Sequence, residues 1–118
     1  MSRQYESMIA GEDLSSHQYK LVKVSAENTV ARQTTAGGNI FGVLNNKPEN
    51  GENATVVVGG ATRCFAGGTI AAGNEVSVTA SGTATAALSG DYIVGTAISA
   101  VASGSNFIML ITQAGYKS

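Results

Sequence analysis

One histidine and one cysteine, His17 and Cys64, make a Cys–His nucleophile pair arithmetically available in this chain. A thiol becomes a nucleophile only when a base takes its proton and a third group orients that base. Nothing in the sequence marks such a third group. Cys64 lies in Ala61-Thr62-Arg63-Cys64-Phe65, where alternation makes it a small side chain packed beside apolar neighbours. The expectation is a buried cysteine, a solvated histidine and no enzyme. Glu12 and Asp13 are adjacent and Glu49 and Glu52 flank one turn, yet their spacing does not follow the alternating oxygen ligands of a calcium loop. They read as solvated loop charge, with no metal. Gly67-Gly68-Thr69-Ile70 lacks the lysine of a phosphate-binding loop and opens no helix, so these are turn glycines and no cofactor is expected. Asn53-Ala54-Thr55 matches a glycosylation sequon, a match without meaning in the absence of a secretory signal.

The elements available to position any such group are short β-runs. From His17 onward, Tyr19, Leu21, Val22 and Val24 alternate imperfectly with Lys20 and Lys23, which predicts a strand near 18–25 with one wet face. Asn28 makes a turn, Val30 and Arg32 sit on a second short strand, Gly37-Gly38 breaks it, and residues 40–44 form a third. Pro48 and Gly51 close a loop. Residues 54–58 are rich in β-branched side chains, and Gly59-Gly60, Gly67-Gly68, Gly73, Gly82, Gly90 and Gly104 punctuate the remainder at the spacing of an all-β sandwich or barrel. In the run from Gly73, Val76 and Val78 are expected inside and Glu75, Ser77 and Thr79 outside. Residues 91–100 and 106–112 supply the last strands. The run 107–111 has no polar alternation, so both its faces should be covered. Ile40-Phe41-Gly42-Val43 is echoed by Ile93-Val94-Gly95-Thr96, either by chance in a glycine-rich chain or through duplication. On both readings the glycine marks a bulge or a close backbone approach.

Residues 1–16 fit neither a helical stripe nor strand alternation. They are read as an extended N-terminal arm ahead of one β domain, residues 17–118. Arg3, Tyr5, Met8 and Ile9 on this arm are the candidate docking residues, because apolar side chains on a polar arm suggest a partner surface. Removing residues 2–12 is then expected to leave the thermal transition nearly unchanged.

A chain of 118 residues is one domain. Only 13% of it is charged and the net charge is −1, which leaves no footprint for a polyanion and argues against nucleic acid as a partner. Fifteen glycines, one proline, no tryptophan and 6% aromatics describe many turns around a core of Val, Ile, Leu and Ala. A single cysteine allows no intrachain disulfide. With no apolar leader at the N-terminus and no apolar run approaching a membrane span, the expectation is a soluble protein made in the cytoplasm, with no membrane partner.

His17-Gln18-Tyr19-Lys20-Leu21-Val22, Phe41-Gly42-Val43-Leu44 with Asn46-Lys47-Pro48 and Gly51, Ala66-Gly67-Gly68-Thr69-Ile70 with Gly73, and Gly95-Thr96-Ala97-Ile98 before Ser103-Gly104 follow one another in an order that resembles the capsid decoration, or cement, proteins of tailed-phage heads. The resemblance covers residues 17–112. It implies a compact β-barrel or β-tulip-like module, a homo-oligomer that is often a trimer, docked on the major capsid protein at the capsid exterior and stabilising the head against the pressure of packaged DNA. It implies a virion protein made in the host cytoplasm, with no cofactor. The alternative is a carbohydrate- or receptor-binding β-module of a phage tail or surface structure. Such sites display exposed aromatics, whereas Tyr5, Tyr19, Tyr92 and Tyr116 are scattered singly in the sequence.

Overall fold

Leu21-Val22, Val43-Leu44 and Val56-Val57 each set two apolar residues side by side in the sequence, and all six are fully buried. Neighbours on a strand point to opposite faces, so such a doublet stays buried only where both faces of the sheet are covered. The computed structural model, which describes residues 4–118, shows what covers them. It contains nine strands, β1 (Gln4–Ala10), β2 (Leu21–Ala26), β3 (Thr29–Arg32), β4 (Gly42–Leu44), β5 (Asn53–Phe65), β6 (Glu75–Val78), β7 (Ala84–Ala86), β8 (Tyr92–Ala97) and β9 (Asn106–Tyr116), and no helix among the described residues.

Five strands close on themselves in the order β1, β3, β2, β4, β5 and back to β1. The β1–β3 pairing is parallel and the other four are antiparallel. Strand β5 is 13 residues long and leaves this barrel at Gly59-Gly60. Its far half, Gly60 to Phe65, pairs with β9 and begins an antiparallel sheet ordered β5, β9, β8, β6, β7. Gly60 takes a φ of 80° at the changeover, a conformation that glycine adopts without the Cβ penalty. The expected break at Gly59-Gly60 is therefore a switch of partners within one continuous strand.

The doublets divide between two cores. Val22, Leu44 and Val56 point into the barrel with Ala10, Leu14, Val30 and Ala54. Leu21, Val43 and Val57 point out of it, into a larger core that the second sheet completes through Ile70, Val76, Val94, Phe107 and Met109. The wall formed by β2, β4 and β5 is thus covered on both faces. The run 107–111 is less enclosed than expected: Phe107, Met109 and Ile111 are buried while Ile108 and Leu110 are half-buried. Ser77, expected outside, is fully buried and its hydroxyl has no partner among the described residues.

Residues 4–16 correct the division into an arm and a separate domain. Strand β1 pairs with β5 from Gln4 to Ile9 and with β3 at Ile9 and Ala10, and its pairing with β5 is what closes the barrel. Beyond it, the Ala10 amide donates to the Glu52 carbonyl (2.9 Å) and the Leu14 amide to the Pro48 carbonyl (2.9 Å). Leu14 is 0% exposed. Burial of a leucine contributes about 1.5–3 kcal/mol, too much to leave to a free terminus. The alternation that the sequence obscured is present: Met8 and Ala10 face the barrel core, Tyr5 and Ile9 face out.

The two echoing glycines share one structural role. A Cβ on Gly42 would lie 2.4 Å from the Val57 carbonyl oxygen, and one on Gly95 would lie 2.2 Å from that of Leu110. Each lets its strand, β4 or β8, approach the long neighbour, β5 or β9, more closely than any side chain permits.

Candidate functional site

The chemistry available in principle is dispersed by the fold. Cys64 is fully buried in the larger core, and burial pushes its thiol up to about 12, so no thiolate forms near neutrality. His17 lies on the segment before β2, where its Nδ1 is paired with the Lys20 ammonium at 3.0 Å. Because a lysine ammonium only donates, Nδ1 accepts. Partial burial, with the charges of Lys20 and Arg32, holds the ring below the usual histidine range. Neither residue has a hydrogen bond to the other.

The carboxylates serve their own loops. Glu12 accepts from the Arg32 amide (2.8 Å), and Glu52 accepts from the Glu49 amide across its turn (2.7 Å). Asp13 accepts from Ser15, which holds its carboxyl below the ordinary value. Among the described residues no group of three or more His, Cys, Asp and Glu side chains could hold a metal. Gly67 and Gly68 sit against Thr83 and Thr85 rather than at a helix start. Asn53, in the sequon, is exposed at the beginning of β5.

Of the four candidate docking residues, Arg3 lies outside the described residues. The other three separate by strand alternation. Tyr5 and Ile9 stand on the outer face of β1, 47% and 48% exposed, while Met8 packs against the barrel core. Tyr5 is level with Leu21, Val43 and Val57 across the barrel wall and extends that apolar row past the cover of the second sheet. The tyrosines are not all solitary. Tyr92 and Tyr116 pack edge to face with ring centroids 5.3 Å apart, and the Tyr92 hydroxyl donates to Gln113, whose side-chain amide reaches the Phe41 carbonyl (3.0 Å) and ties β9 to the segment entering β4.

A second surface has no counterpart in the sequence reading. Three adjoining depressions of about 390, 250 and 260 Å³ run along the far half of β5, sharing Tyr19, Arg63 and Asn106 along their borders. Lys20, Lys47 and Arg63 line them, and no carboxylate does. Lys20 lies 5.8 Å from the centre of the Phe65 ring, and partial burial and the nearby Arg32 guanidinium bring its ammonium below the usual lysine range. Tyr19 has a φ of 68°, uncommon for a bulky residue, and is held there by its amide donating to Leu44 (2.7 Å) and its carbonyl accepting from Phe65 (2.9 Å). These side chains come from segments far apart in the chain, so no motif announced them.

Compared with known proteins, the chain matches a family model described as phage cement protein over residues 15–112. No curated protein matches it by sequence. Among solved structures, the N base of the head fiber gp8.5 of bacteriophage phi29 is similar, with a TM-score of 0.74 at 16% identity, covering 99% of this chain and 100% of that one. At that identity the likeness speaks for the fold, and it extends over β1, which the family match leaves out.

Proposed function

The chain belongs to the phage cement protein family, and from that premise we propose that it binds the outer surface of a phage head and stabilises the shell. The observation that carries this reading is the family match across residues 15–112, which takes in β2 through β8 whole and the greater part of β9. The family is a structural one, and the buried thiol and dispersed carboxylates agree with a protein that performs no catalysis. We place the module on the capsid exterior, in contact with the major capsid protein, as a homo-oligomer for which a trimer is the arrangement the family suggests. We place the contact on the outer face of β1, where Tyr5 and Ile9 are half exposed and present apolar surface to solvent. Because they sit on a strand of a closed barrel, they are ordered before binding, and docking costs little conformational entropy.

Co-sedimentation with expanded heads lacking the decoration protein tests this. The wild type should pellet with heads to saturation. Exchanging both Tyr5 and Ile9 for serine should weaken capture roughly tenfold or more, since each apolar side chain buried on docking contributes about 1.5–3 kcal/mol, and several copies per oligomer compound the loss. No pelleting of the wild type would end the reading. Full capture of the double variant would move the contact off β1.

A further inference from the structure

We propose that the groove lined by Lys20, Lys47 and Arg63, with Tyr19 at its centre, is a second docking site that takes an acidic segment of the shell protein. The proposal rests on the head-decoration reading for its partner and goes beyond it in naming a surface and a chemistry. Three of the chain's seven Lys and Arg residues converge on this groove, in a molecule whose net charge is −1. The one ion pair among the described residues, Lys117 with Glu75, lies elsewhere. Cations gathered without counter-charge repel one another, and an anionic partner relieves that repulsion. Lys20 is half-buried, and its ammonium is held below the usual lysine range first by that burial and then by Arg32, which lies outside the groove lining. The Phe65 ring and Asn106 add an apolar wall and an amide to a hollow of about 390 Å³, room for a few side chains rather than a single ion.

The left-handed Tyr19 is an independent sign. A bulky side chain at positive φ stores strain that the surrounding structure must hold in place, and such residues gather at binding sites. Here the strain is maintained by two backbone hydrogen bonds and places Tyr19 on the border of the first two depressions.

A second copy of this chain fits the groove less well than an acidic segment of the shell protein. Glu12, Asp13, Glu52 and Asp91 already accept backbone hydrogen bonds, and Glu75 is paired with Lys117. The remaining three, Glu6, Glu27 and Glu49, stand on three separate elements, β1, the β2–β3 turn and the β4–β5 loop, and offer no clustered carboxylates to fill the groove.

The test compares binding of the wild type, K47E/R63E, the charge-preserving K47R/R63K and the control K23E to expanded heads, with the mass of each protein in solution measured in parallel. Lys47 and Arg63 are exposed, so reversing them leaves the fold intact, which circular dichroism checks. The expected result is a loss on the order of tenfold or more for K47E/R63E, with K47R/R63K and K23E close to wild type, and wild-type binding that weakens as salt rises. If K47E/R63E binds as tightly as the wild type, the groove proposal falls and head attachment stands. If instead its oligomeric mass changes, the groove joins copies of this chain and the proposal is overturned. If the wild type does not bind heads at all, both readings fail.

Discussion

Cys64 shows how little of this chain's chemistry is available. A thiol with its titration pushed up to about 12 by full burial is inert to reagents that require thiolate. Native protein should therefore resist a disulfide-exchange reagent such as Ellman's and react with one equivalent only after unfolding in denaturant; stoichiometric labelling of the folded protein would contradict this. Cys64→Ala should lower stability by about 1–2 kcal/mol with head binding intact, and Cys64→Ser by somewhat more, because a hydroxyl without a partner is added to the cavity. The burial of Cys64 was legible in its alternating neighbours. The basic groove was not, because Tyr19, Lys47 and Arg63 meet only when β5 passes from one sheet to the other, and no local pattern encodes that crossing.

Among the elements, β1 and the two close-approach glycines carry the architecture. The sequence places strands where the apolar runs are dense, in β2, β3, β4, the first half of β5, β6, β8 and β9, and it misses β1, β7 and the far half of β5 beyond Gly59-Gly60. Strand β1 shows no clear alternation because apolar Tyr5 and Ile9 stand on its outer face while its inner face meets the barrel only at Met8 and Ala10. Strand β7 is three residues of Ala and Thr recruited by β6. Without β1, strands β3 and β5 are left with unpaired edges and the barrel core is opened. Deletion of residues 2–12, harmless if they formed an arm, should instead abolish the cooperative thermal transition or lower its midpoint by many degrees in calorimetry. Gly42→Ala and Gly95→Ala should each destabilise by about 1–3 kcal/mol, because the new methyl group meets a backbone carbonyl that moves only with its whole strand. An unchanged denaturant midpoint for either variant would mean that the strands are less tightly apposed than the structure has them.

The whole molecule, 35 by 26 by 24 Å, is a closed barrel joined to a second sheet through one shared strand. Closure removes the barrel's sheet edges, which invite uncontrolled strand pairing, and on the side away from β5 the second sheet ends in β7, an edge of only three residues. Such a body suits a protein displayed in many copies on a particle, where the contacts that matter must be made by chosen surfaces. We propose the outer face of β1 and the basic groove along β5 as those surfaces, one apolar and one cationic. Electron cryomicroscopy of expanded heads, incubated with and without the protein, shows whether it decorates the shell. Added density is expected at regular lattice positions on the outside of the shell, fitted by the barrel with Tyr5 and Ile9 toward the capsid; heads that gain no density, or gain it only on the inner surface, would rule out external decoration.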